Sequence, residues 1–248
     1  MKKRYKKKED VFYLEKIKEV QLERPSYGYK RITAMINKNP LNTSRINRKR
    51  IYRIMDMNDL LIKKTKITRE HEPTRKIVTL HSNTRWCSDA FEIKCYNDEK
   101  VYVMFSLDTC DRECIEFVAR KRPLQKKDVQ ELMISSVNKR FACDEAPNLI
   151  QWLSDRGSIY RAHETQRTAR SLNLKSCFTA AYSPQSNGMA ESFVKTIKRD
   201  YVYVNDCETA DQTIAQLGNW IKDYNENAPH SGLGMKSPVE FKKTNPGV

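Results

Sequence analysis

The chain has 248 residues, 31% of them charged, and a formal net charge of +15. That length supports one sizeable core or a medium domain with a smaller one attached, and the basic excess points to a polyanion, nucleic acid ahead of an acidic membrane surface. No apolar run approaches the roughly 18 residues of a membrane span, and lysines rather than an apolar segment follow Met1, so neither a membrane span nor a secretory signal is supported and a cytoplasmic protein is expected.

The charge is unevenly placed. Residues 1–76 carry 23 Lys and Arg against 9 Asp and Glu, which leaves 23 against 22 for residues 77–248. Within the basic part, Val11, Leu14, Ile17 and Leu22 fall near helical spacing and predict a helix over residues 10–22, ended by Pro25 and Gly28. A short helix over "KRITAMIN" follows, stopping before Pro40. A third helix is predicted in "NTSRINRKRIYRIMDMNDLL", with Thr43 and Ser44 as caps, Ile51, Ile54 and Met55 on one face, and Arg45, Arg48, Lys49 and Arg53 on others. Residues 1–62 therefore have the form of a small all-α helix-turn-helix domain that contacts DNA, the competing reading being a solvated basic helix in a small bundle. Residues 63–76, with eight charges and Pro73, are too polar for a core and read as a linker.

Beyond residue 76 the pattern changes to strands. "TRWCSDAFEI", "KVYVMFSLD" and "CIEFVA" predict three successive antiparallel strands. A helix is expected over Lys126–Phe141 with Val129, Leu132, Met133 and Val137 inward, then a buried strand "NLIQWLS", a helix near Glu164–Leu172, a strand "SCFTA" and a helix near Met189–Val204. The order βββαβαβα in residues 77–205 argues a mixed α/β sheet with helices on its faces. Residues 206–248 read as a C-terminal helical extension, in which Ile214, Leu217, Trp220, Ile221 and Tyr224 form a packing face. Seven cysteines without a CxxC pair and four scattered histidines favour idle thiols over a zinc site.

Three acids stand out by position. Asp89 lies in the first strand, Asp155 ends the fourth, and Glu191 opens the last helix of the core. At about 100° per residue, Glu191 shares a helix face with Lys195 and Lys198, while Phe193, Val194, Ile197 and Tyr201 take the opposite, buried side. Carboxylates converging beyond strand ends suit hard divalent cations. The alternative is that strand-end aspartates and a glutamate complementing the helix dipole have no shared role. Asp108, Asp111 and Glu113 form a second acidic group, read as serving a turn, with Asp108 a possible neighbour of the first.

Thirty-five residues separate Asp155 from Glu191, the spacing of the D,D-35-E signature of retroviral integrases and insertion-sequence transposases. The words "RWCSDAFEI", "LSDRGSIY", "YSPQSNGMAESFVKTIKRDY" and "YNENAPHSGLGMKSPVEF", preceded by "RPSYGYKRI" and "NRKRIYRIMDMNDLL", resemble the OrfB-type transposase of bacterial insertion sequences. The resemblance implies an RNase H-like catalytic core in which Asp89, Asp155 and Glu191 bind two Mg²⁺ ions, Mn²⁺ able to substitute, to cut the element's DNA ends and join them to target DNA. It implies that Lys198, with Lys195 beside it, meets terminal DNA, and that Asn187 and Gly188 belong to the loop leading into the catalytic helix. Arg156 stands where the family often has asparagine, and an altered detail around the metal is expected. The family commonly acts as a fusion with an upstream-frame product and as a homo-oligomer on DNA. "MKKRYKKK" lacks the longer N-terminal segment usual in that family, so a truncated, non-catalytic DNA-binding relic or regulator is the alternative, and a nuclease that cuts without joining is a third reading.

Overall fold

The computed structural model describes residues 7–39, 45–62, 79–179 and 187–245. The expected caps Thr43 and Ser44 and the expected linker 63–76 lie outside them. The chain divides into two compact units, Met1–Glu72 with Pro229–Lys236, and Pro73–Ala228 with Ser237–Val248. No helix among the described residues is long and apolar enough to cross a membrane.

Among its described residues the first unit has the α-helices α1 (Asp10–Glu23), α2 (Tyr29–Lys38) and α3 (Arg48–Met57). Tyr13, Ile17, Tyr27, Ile32, Ile36, Ile46, Ile51, Ile54 and Met55 form its core, so the inward face of α3 is the expected one. On α1, Ile17 is buried in that core and Leu14 packs against it, while Val11 and Leu22 near its ends are 67% and 87% exposed. The start of α1 is held by a polar clamp: Arg50 Nε and Arg53 Nη2 reach the two carboxylate oxygens of Asp10 at 2.8 and 2.6 Å. Burial raises the Asp10 pKa, but the Lys7 N–H and the two guanidinium groups outweigh it and hold the carboxyl below its ordinary value. The start of α3 is capped by Asn47, whose side chain accepts from the Lys49 N–H at 2.9 Å.

The second unit is built on a five-stranded sheet of order β3-β2-β1-β4-β5. Its strands are β1 (Arg85–Lys94), β2 (Lys100–Asp108), β3 (Cys114–Arg120), β4 (Ile150–Ser154) and β5 (Leu174–Phe178). The first three are antiparallel, while β4 runs parallel to β1 and β5. Alternation then divides the side chains between two faces. Trp86, Met104, Ile150 and Trp152 pack with α4 (Lys126–Phe141) and α6 (His163–Ser171). Cys87, Phe91, Val103 and Phe105 pack with α7 (Gly188–Asp200) and α8 (Ala210–Glu226). Cys207, Ala210, Leu217, Trp220, Ile221 and Tyr224 of the expected C-terminal extension therefore share a core with the sheet. The helix expected near residues 164–172 is preceded by a separate turn, α5 (Ser158–Arg161), because Ala162 between them is extended. Likewise α7 ends at Asp200 and a 3₁₀ turn covers Val202–Val204.

Candidate active site

Strand geometry decides where the two aspartates go. Cys87 and Phe91 face α7 and α8, and Asp89, between them at period two, shares that face. The parallel β1–β4 ladder pairs Trp86 with Trp152 and Cys87 with Leu153. Carried on by two residues at the same offset, that register brings Asp89 level with Asp155, which lies one residue past the end of β4 and beyond the last paired residues.

Glu191 arrives from above. The ring of Phe193 sits 4.3 Å from that of Phe105, and Phe105 is the antiparallel partner of Asp89. This contact docks the first turn of α7 over β1. Glu191 keeps 42% of its side chain exposed and meets Lys195 Nζ at 3.3 Å. Lys198 places its Nζ 5.8 Å from the centre of the Phe91 ring, two residues along β1 from Asp89. The two lysines thus lie on the acidic side of α7 while Ala190, Phe193 and Ile197 are buried.

The electrostatics tie the three acids together. Burial pushes the Asp89 carboxyl above its ordinary pKa, and the carboxylates of Asp155 and Glu191 push it the same way, against the Ala90 N–H that Asp89 accepts at 2.8 Å. They are neighbours without being a closed cage: among the described residues, no three Asp, Glu, His or Cys side chains stand close enough to hold a metal ion. Like charges repel, and each carboxylate turns to its own donor, Asp89 to Ala90 N–H, Asp155 to Gly157 N–H at 2.9 Å, and Glu191 to Lys195. The cysteines are free thiols.

Gly157 matters for this arrangement. A Cβ there would lie 2.9 Å from Asp155 Oδ1, closer than such contacts occur, and the movable partner is the carboxylate itself. Gly157→Ala is expected to displace the Asp155 carboxylate, lowering any activity that depends on it about tenfold or more while thermal unfolding moves little. Equal activity in the two proteins would show that the carboxylate's position is not critical. Nearby, Arg156 donates through Nε to the Thr179 carbonyl at 3.1 Å, linking the exit of β4 to the exit of β5.

The second acidic group has a different character. Asp108 and Asp111 are fully buried, and Arg140 from the end of α4 reaches Asp111 at 2.7 Å, Asp108 at 3.6 Å and also Glu113. Asn83 and Cys110 N–H groups donate to Asp108, and Lys242 of α9 (Pro238–Thr244) meets Glu113 at 2.6 Å. This is a buried structural knot held by Arg140, in which Asp108 turns to the N–H groups of Asn83 and the β2–β3 turn rather than to Asp89.

In the first unit, Arg45, Arg48 and Lys49 are exposed around the start of α3. Arg53 does not share their freedom, because its side chain is 17% exposed and bound to Asp10. Sequence patterning had no signal for that pairing across 43 residues, nor for Arg50, its companion in the clamp.

Comparison with known proteins gives a consistent family. Residues 80–184 and 172–238 match two models described as integrase core domain, and residues 7–66 match an HTH-like domain. Transposase InsD for insertion element IS2A/D/F/H/I/K, from Escherichia coli, is 41% identical over 239 residues, covering 94% of this chain and 79% of the relative. Transposase InsD for insertion element IS2-9, from the K12 strain, is equally similar and 77% covered. Among solved structures, the simian T-cell lymphotropic virus intasome in complex with PP2A regulatory subunit B56 gamma contains a chain similar in fold, with a TM-score of 0.55, 15% identity, and coverage of 91% of this chain and 73% of that one.

Proposed function

The chain belongs to the insertion-sequence transposases with an integrase-type core, and from that premise we propose that it cuts element ends and joins them to target DNA at Asp89, Asp155 and Glu191. The observation that supports this site assignment is geometric: the β1–β4 register carries Asp89 and Asp155 to the same level, and the Phe193–Phe105 contact seats the helix of Glu191 on the same face. Three carboxylates offering only oxygen fit a hard divalent cation, and their mutual repulsion is what such a cation would offset. Two bound Mg²⁺ ions, or Mn²⁺ in their place, would supply activation of the attacking oxygen and stabilisation of the leaving one. Each acid would first leave its present local partner, a single hydrogen bond worth about 1 kcal/mol.

The residues of the chain supply the rest. Lys195, paired with Glu191, and Lys198, lying along β1, are cations set to take the phosphates flanking the reacting bond. Arg45, Arg48 and Lys49 supply backbone contacts that hold the DNA. Arg53 holds α3 against α1 through Asp10, so its part in binding runs through the orientation of the helix. Joining two ends calls for more than one catalytic chain, so a homo-oligomer on DNA, and a contribution from an upstream-frame product, belong to the same proposal, as does action at the nucleoid.

The deciding experiment incubates the purified chain with labelled element ends, a target duplex and Mg²⁺. Joined strands support the transposase, whereas free cut ends alone would replace it with a nuclease. If DNA is held by the first unit, Arg48→Glu with Lys49→Glu is expected to weaken binding uniformly across sequences and to reduce the slope of log K against log salt by roughly two. An unchanged slope in a fluorescence titration would remove both residues from the interface.

A further inference from the structure

Between the two aspartate-bearing segments, on the far side of the sheet from the carboxylates, lies a pair of buried hydroxyls. Ser88 Oγ and Tyr160 Oη are 3.0 Å apart, with Ser88 fully buried and Tyr160 3% exposed. Ser88 precedes Asp89 on β1 and, by alternation, faces the layer of α4 and α6. Tyr160 belongs to α5, which begins three residues after Asp155.

The location of this link is what makes it consequential. Among the described residues the β1–β4 ladder ends at Cys87 and Leu153, so at the level of Asp89 and Asp155 the two segments are no longer joined by backbone pairing. A helix of four residues cannot hold itself. Tyr160 anchors it, through packing in the core beside Trp152 and through Gln166, whose amide donates to the Tyr160 carbonyl at 2.7 Å. From α5 the constraint runs back through the Tyr160 N–H, which donates to the Gly157 carbonyl at 3.1 Å, and the Gly157 N–H, which donates to Asp155. Packing alone would be met by phenylalanine, and burying two hydroxyls has a desolvation cost. What the pair adds is a fixed distance between β1 and α5.

Resting on the reading of Asp89, Asp155 and Glu191 as metal ligands, we propose that Ser88 and Tyr160 are positioning residues that set the Asp89–Asp155 separation and thereby the affinity of the site for a divalent cation. The test uses the full chain without DNA, titrated calorimetrically with Mn²⁺, beside thermal unfolding of the metal-free protein, for Tyr160→Phe, Ser88→Ala and the double variant. Tyr160→Phe is expected to weaken Mn²⁺ binding about tenfold, and the double variant to weaken it no further. The thermal midpoint, lowered when one hydroxyl is stranded, should recover in the double variant, where both are gone. Native Mn²⁺ affinity in Tyr160→Phe overturns the proposal, as does an affinity that recovers together with the midpoint, which is the mark of a merely structural pair. Asp155→Asn separates the premise from the inference: if it binds Mn²⁺ as the native chain does, the ligand assignment itself fails and the positioning role falls with it.

Discussion

Asp155→Asn is expected to lower strand joining by roughly a thousandfold or more, on the order of 4 kcal/mol of transition-state stabilisation, and to leave the protein as stable as before. The substitution is close to isosteric, and the asparagine oxygen can accept the Gly157 N–H as the aspartate does. What disappears is one negative charge beside Asp89. The Asp89 carboxyl, raised by burial and by its two acidic neighbours, should then titrate closer to its ordinary value. Joining assays with labelled ends, run beside thermal unfolding, check both halves. Retained joining by a folded variant would take Asp155 out of the chemistry.

Arg140→Met is expected to destabilise the second unit by about 3–5 kcal/mol, measured by urea unfolding. Methionine fills most of the same space, so the loss comes from charge. Arg140 is 7% exposed, and without it the fully buried Asp108 and Asp111 keep their backbone donors and lose the cation beside them. Burial and the nearness of Asp111 already push the Asp108 carboxyl upward, with Arg140 acting against both. A loss below 1 kcal/mol would mean that the knot tolerates an uncompensated pair and does not depend on Arg140.

Much of the fold was legible because local patterning and burial agree. The α4 helix runs over the expected Lys126–Phe141, since Val129, Leu132, Met133 and Val137 are all inward. The placement of Glu191 with Lys195 and Lys198, opposite Phe193 and Ile197, follows directly from helical geometry. What escaped the sequence is polar pairing at long range. Asp10 with Arg50 and Arg53, Ser88 with Tyr160, and Arg140 with the β2–β3 turn join residues 27 to 72 positions apart, and nothing in the local pattern distinguishes these side chains from solvated ones. On α1 the spacing marks Leu14 and Ile17, which meet the core, while Val11 and Leu22 near the helix ends stay exposed. Asn47, as good a cap as Thr43 or Ser44, begins α3 at a residue that composition alone could not single out.

The parallel pairing of β1 with β4 also has a bearing on timing. Arg85 meets Gln151, so this ladder closes a loop of 66 residues, and Glu191 is added only when α7, further along still, settles on the sheet. Contacts of such sequence separation form slowly, whereas the core of α1, α2 and α3 joins residues that lie closer together along the chain and forms sooner. A chain emerging from the ribosome in order would therefore possess the helices of its HTH-like part well before the segments that carry Asp89, Asp155 and Glu191 come together. On the proposed assignment of the two sites, the ability to grip DNA precedes the ability to break it, a sequence of events written into the order of the strands.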